Sequence, residues 1–141
     1  TDSGMYYNKK GDELKKFNTR DGKAIEILKN NKIKTVIITA ENTSIVKKRG
    51  DKIGVDYIFQ GIKNKYTLIK KLCDEQKIKL SEIAFIGDDL NDLELLQHVG
   101  FSACPNDAID EIKNISDYIC SKKGGQGCVR EFAEKFIQNT K

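Results

Sequence analysis

At 141 residues the chain is long enough to bury a hydrophobic core and short enough to form one domain over residues 1–141. Charged residues make up 33 % and hydrophobic residues 38 %, with no run approaching the length of a membrane span and no signal-peptide pattern, so a cytoplasmic, membrane-free protein is expected. The net charge of +4 comes from 25 basic residues scattered among 21 acidic ones, which argues against a nucleic-acid partner and suits an anionic small molecule.

Taken in order, Met5, Tyr6 and Tyr7, a turn at 8–12 and the alternating stretch 14–18 predict a β-hairpin with an apolar surface. A helix carrying Ala24, Ile25, Ile27 and Leu28 follows. Residues 34–39 (KTVIIT) form a β-branched strand, Thr43 or Ser44 caps a helix through Ile53, and 57–60 form a short strand. A helix is predicted over 63–76, the central strand over 83–86, a helix over 89–99 and a strand over 101–103. A helix at 108–112, a strand at 117–120, a glycine-rich turn at 124–127 and a closing helix complete the chain. Strands alternating with helices predict a parallel sheet covered on both faces, with ligands gathered at the strands' carboxyl ends. Cys73, Cys104, Cys120 and Cys128 lack metal-type spacing and are expected as reduced thiols; His98, the single histidine, is expected in a helix and far from any metal site.

The densest chemistry is FIGDDLND at 85–92. Carboxylates crowded onto a strand end repel one another and are best tolerated beside a cation, and hard oxygen donors on a tight loop suit Mg²⁺. The simpler alternative is that these acids cap a helix. The same strand-end rule singles out Thr39, which closes the strand at 34–39, and Lys65 at the start of the following helix. A hydroxyl donor, a fixed cation and a metal-binding carboxylate are what a phosphoryl group needs.

On TDSGMYYN, GDELKKFNTRDG, VIITAEN, FQGIKNK, FIGDDLND and KKGGQGCVREF, the chain resembles the haloacid dehalogenase superfamily of phosphatases. Within it, the match is to the capless branch that includes 3-deoxy-D-manno-octulosonate 8-phosphate phosphatases. The nearest likeness is to relatives acting on nine-carbon sialic-acid-type 9-phosphates and to the carboxy-terminal domain of acylneuraminate cytidylyltransferases. The resemblance implies a three-layer α/β sandwich with a central parallel sheet, a protruding hairpin and no cap domain. It assigns phosphate binding to Thr39, a charge-neutralising role to Lys65, Mg²⁺ ligation to Asp88, and positioning of metal waters and Lys65 to Asp89 and Asp92. Asn91 is expected to reach the phosphate region.

Glu41, in the position after the Thr39 turn where octulosonate enzymes more often carry arginine, implies a nine-carbon substrate ahead of an eight-carbon one. Asn42, Arg130, Arg20, Asp21 and Asn18 are further candidates for lining the substrate pocket, Arg130 by offering a guanidinium to a carboxylate. The resemblance also implies a homotetramer with sites at subunit interfaces. Family members open on a strand ending in DxDGxxTDG, whose two leading aspartates are nucleophile and acid/base. Asp2 matches only that motif's last acid, so the catalytic pair and their strand are expected upstream of Thr1. The alternative from a different class is a non-catalytic oligomerisation domain tied to a cytidylyltransferase. Response-regulator receiver domains combine the same residue types, but there the acidic pair precedes the Thr and Lys, the reverse of the order here.

Overall fold

The computed structural model describes residues 1–11 and 13–139. Three parallel strands form one sheet in the order β5 (Ala84–Ile86), β6 (Phe101–Cys104), β7 (Tyr118–Ile119), and two more, β3 (Val36–Ile38) and β4 (Tyr57–Phe59), form a second parallel sheet. Ile38 of β3 and Phe85 of β5 pack into the same apolar cluster as Ile69, Cys73 and Leu95, so the two sheets stand side by side. Among the described residues no backbone ladder joins β3 to β5. The two strands share a signature of that arrangement. Every residue of β3 and β5 is only partly buried, whereas Ser102, Ala103 and Cys104 of β6 are fully enclosed.

The helices form where their caps and apolar faces direct. α1 (Thr19–Asn30) starts at Asn18, whose Oδ1 accepts the Arg20 amide, and buries Ala24, Ile25 and Leu28. Ala24 and Leu28 meet Ala133 of α6 (Cys128–Asn139), and the two alanines let the helices approach closely. α2 (Ser44–Ile53) is capped by Thr43 and stops at Gly54, whose left-handed φ of 75° ends it at no steric cost. α3 (Lys65–Gln76) begins after Asn64, which accepts the Thr67 amide. α6 lays Phe132 and Phe136 against Phe101, with ring centroids 5.9 and 6.0 Å apart. α5 (Asp110–Ile115) buries Ile112. No helix among the described residues is long and apolar enough to cross a membrane.

Two expectations change. The helix expected over 89–99 is a single 3₁₀ turn, Leu90–Asp92, followed by the four-residue α4 (Leu93–Leu96), because Asp89 and Asp92 turn their carboxylates onto nearby backbone amides. His98 therefore lies beyond the helix, its ring tilted against that of Tyr66 with centroids 4.6 Å apart. The hairpin expected from residue 5 onward pairs only β1 (Tyr6–Tyr7) with β2 (Glu13–Leu14); Asp12, in the expected turn, lies outside the described residues. Met5, Tyr6, Tyr7 and Leu14 are 44, 68, 61 and 71 % exposed, an apolar surface on this chain. The four cysteines are free and buried, and burial pushes the Cys120 thiol up to about 12.

Glu131 anchors the segment after β7. Its carboxylate accepts the Ser121 and Lys122 amides and the Ser121 and Tyr118 hydroxyls, at 2.7 to 3.2 Å. Burial opposes its ionisation, but the Ser121 amide, Tyr118 and the other donors outweigh that and hold its pKa below the ordinary value. Stability from this group is present above the unfolded-state pKa and is lost as pH falls through the lower folded one. Glu131→Gln is expected to lower unfolding free energy by about 1–3 kcal/mol at neutral pH. In urea titrations the gap to the parent narrows as pH falls into the carboxylate range.

Candidate active site

The site is built at the facing carboxyl ends of β3 and β5. The Thr39 amide donates to Phe59 O at 3.0 Å, extending the β3–β4 ladder, and its Oγ1 accepts the Glu41 amide at 3.1 Å, which bends the chain sharply away from the strand. β5 ends at Gly87, followed by Asp88 and Asp89. Between the two ends lies a cleft of about 410 Å³ lined by Thr39, Lys65, Asp88, Asp89 and Asn91, with Asp92 at its base.

Asp92 organises this cleft. It is 2 % exposed, accepts Lys65 Nζ on Oδ1 at 2.5 Å, and accepts the Asp88 and Asp89 amides on Oδ2 at 3.0 and 3.4 Å. One buried carboxylate thus fixes the Lys65 ammonium and folds the acidic loop. Lys65, the first residue of α3, is itself 9 % exposed, so its charge is presented to the cleft and not to bulk water. Asp89 works more locally than expected: its Oδ1 accepts the Leu90 amide at 2.7 Å.

The Asp88 carboxyl takes no hydrogen bond among the described residues. Desolvation in the cleft wall, then Asp92, then Asp89 push its pKa up, with Lys65 pulling the other way. A carboxylate so placed gains from a cation, and Asp88, Asp89 and Asn91 offer the hard oxygen atoms that Mg²⁺ prefers. Among the described residues no three His, Cys, Asp or Glu side chains converge as a complete metal-holding group. The donor set fits Mg²⁺ that keeps water and substrate ligands, and it does not form an all-protein cage.

Gly87 was not singled out by the sequence. A Cβ there would lie 2.5 Å from Asp92 Cβ and 2.6 Å from its Cγ, too close for either atom to remain in place. Gly87→Ala is expected to cost about 1–3 kcal/mol through overpacking and to displace Asp92 from Lys65. A lowered urea midpoint with unchanged m-value checks the first effect; the second appears as faster acylation of Lys65, released from its pairing with Asp92.

A second cleft of about 410 Å³ adjoins the first across Thr39 and Glu41 and is lined by Lys15, Phe17, Val46 and Arg49. Lys15 Nζ lies 3.8 Å from Glu41 Oε2 with its side chain 8 % exposed, so Glu41 shares its charge with a cation. Lys15 lies within GDELKKFNTRDG without an assigned role there, and Arg49 belongs to none of the motifs that carry the resemblance. Arg49 had one usable signal, its helical i+3 spacing from the inward-facing Val46.

The remaining candidates sit elsewhere. Arg130 lines neither cleft, because its Nε is paired with Glu134 one helical turn on, at 2.5 Å. Asp21 accepts the Gly127, Val129 and Arg130 amides at 3.0 to 3.2 Å and so caps α6. Asn18 caps α1 and donates through Nδ2 to Gly125 O at 3.1 Å. Arg20 and Asn42 are exposed outside both clefts.

Comparison with known proteins identifies the family. A family model described as haloacid dehalogenase-like hydrolase matches residues 57–132. The 3-deoxy-D-manno-octulosonate 8-phosphate phosphatase of Escherichia coli K12 is 33 % identical over 137 residues, 97 % of this chain and 73 % of that protein. The crystal structure of the corresponding phosphatase from Moraxella catarrhalis, in complex with magnesium, phosphate and KDO, superposes with a TM-score of 0.90 at 33 % identity, covering 99 % of this chain and 86 % of that one. The cobalt-bound phosphatase from Haemophilus influenzae gives a TM-score of 0.92 at 30 % identity over 98 % of this chain and 81 % of that one. With one-third identity sustained along nearly its whole length, and Thr39, Lys65 and the acidic loop brought to one cleft, the chain belongs to the haloacid dehalogenase-like hydrolases, among their phosphatases.

Proposed function

We propose that this protein is a Mg²⁺-dependent phosphatase that hydrolyses the phosphate monoester of a 2-keto-3-deoxy sugar acid. The observation that carries the reading is the meeting of Thr39, Lys65 and Asp88 in one cleft between the ends of β3 and β5. Thr39 donates a hydroxyl hydrogen bond to a phosphoryl oxygen, and Lys65, held by Asp92, offsets its negative charge. Asp88, with Asp89 and Asn91 nearby, would hold Mg²⁺, which would supply further positive charge to the phosphoryl group.

The nucleophilic and acid/base carboxylates come, on this reading, from a strand upstream of Thr1 that lies between β3 and β5. The partial burial of both strands and the lack of a ladder between them among the described residues support that placement. The upstream carboxylate attacks phosphorus to give an aspartyl-phosphate and releases the sugar alcohol. Its partner protonates the leaving oxygen and then activates water for hydrolysis.

For the substrate, we favour a nine-carbon sialic-acid-type 9-phosphate over the eight-carbon 8-phosphate of the named relatives. Glu41, beside the cleft, supplies an acceptor for a hydroxyl or amine where an arginine would attract a carboxylate. The exposed Met5, Tyr6, Tyr7 and Leu14 support assembly into a homotetramer whose neighbours complete the second cleft.

The test is phosphate release from a panel of sugar-acid phosphates, with and without Mg²⁺, using protein that includes the sequence encoded upstream of Thr1. Mg²⁺-dependent turnover that favours the nine-carbon substrate supports the full reading; preference for the eight-carbon one overturns the Glu41 argument alone. A folded oligomer with no turnover on any substrate would overturn the phosphatase reading in favour of an assembly domain.

A further inference from the structure

The glycine-rich segment at 121–127 is held from several sides. Glu131 takes the Ser121 and Lys122 amides, and Asp107 Oδ1 accepts the Gly124 amide at 2.8 Å. Asn18 Nδ2 donates to Gly125 O, and Asp21 takes the Gly127 amide at 3.2 Å. Asn18 and Asp21 reach across more than a hundred residues of sequence to do this. A loop whose backbone is fixed by four side chains from three parts of the fold is rigid, whatever its glycine content.

What that loop supports is the backbone at Thr1 and Asp2. A Cβ at Gly124 would lie 2.8 Å from Thr1 O, and one at Gly125 would lie 2.7 Å from the Asp2 amide nitrogen. The two backbones therefore lie in direct contact, which only glycine allows. Thr1 and Ser3 in turn line both clefts. The same Asn18 reaches the other side of the second cleft: its carbonyl accepts Arg49 Nη2 at 3.0 Å, and that guanidinium stands over the Phe17 ring at 5.3 Å.

We propose that segment 121–127 is a bracket that positions the chain at residues 1–3 as a wall of the active-site clefts, with Asp21 and Asn18 as its positioning residues. Its consequence for turnover rests on the phosphatase reading; the positioning itself does not. Asn18 and Asp21 thus act on the site through the backbone they hold and touch no substrate.

Gly124→Ala isolates the effect, because Gly124 has an ordinary φ and the substitution adds only the clash with Thr1. Gln126→Ala, at an exposed position, is the control. Backbone amide chemical shifts are followed by NMR on the full chain. The expected result is shift changes at Asp2 to Gly4 in Gly124→Ala, with α6 and β6 unchanged and the control like the parent. Asp21→Ala should shift residues 2–4 together with the first turn of α6 that Asp21 caps, and Asp21→Asn, which keeps an acceptor oxygen, should restore part of both. In active protein, Gly124→Ala then raises KM more than it lowers kcat. Parent-like shifts at residues 2–4, or changes spread evenly over the whole domain, would overturn the proposal. If the parent hydrolyses no phosphate ester, the functional reading fails while the shift pattern still decides the bracket.

Discussion

Asp92→Ala is expected to lower the unfolding free energy by about 3–5 kcal/mol, the largest stability loss of any single substitution in the site. The magnitude follows from what is left behind. The Lys65 side chain is only 10 % exposed and would keep its charge with no partner, while the Asp88 and Asp89 amides would lose their common acceptor. Urea unfolding at constant m-value measures this. Asp92→Asn retains an acceptor for the amides but not the charge, and should fall between parent and alanine. The pairing can be separated from the packing by a cycle: Lys65→Met combined with Asp92→Leu removes both charges and should recover much of the lost stability while turnover stays abolished. If the double variant is no more stable than Asp92→Ala, the ion pair is not what Asp92 contributes, and its role reduces to folding the 88–92 loop.

That site could be read from sequence because its residues obey local rules. A β-branched run ending at Thr39 and an apolar run ending at Gly87 each predict a strand, and parallel strands bring their carboxyl ends to one edge; Lys65 follows from the helix start between them. What escaped was set by contacts that spacing does not encode. Asp21 looked like a loop acid near a pocket, but its partners are the amides at the start of α6, 106 to 109 residues away. The close approach of Gly87 to Asp92 and of Gly124 to Thr1 leaves no trace in composition. Arg130 is different, since its pairing with Glu134 at i,i+4 was visible in the sequence and predicted a side chain already engaged. The short 3₁₀ turn at Leu90–Asp92 shows the same competition on a smaller scale. Apolar periodicity at Leu93, Leu95 and Leu96 favours a helix, but two aspartates that take backbone amides delay it by a turn.

Asp88→Asn is expected to reduce Mg²⁺-dependent turnover by at least about 10³-fold with the fold intact. The two halves of that expectation have separate causes. On the proposed reading, loss of the carboxylate removes a charged donor to Mg²⁺, whose stabilisation of phosphoryl charge would lower the barrier by several kcal/mol, and each tenfold in rate corresponds to about 1.4 kcal/mol. Folding is spared because the Asp88 carboxyl takes no hydrogen bond among the described residues and its ionised form is opposed by the cleft wall, Asp92 and Asp89. In metal-free buffer the variant should therefore melt no lower than the parent, since it removes a repelled charge. Added Mg²⁺ should raise the melting temperature of the parent and leave that of Asp88→Asn unchanged, because a ligand stabilises only the state that binds it. A parent that gains nothing from Mg²⁺, or a variant that gains as much, would move the metal away from Asp88. A variant that melts well below the parent without metal would instead make Asp88 part of the framework that Asp92 builds.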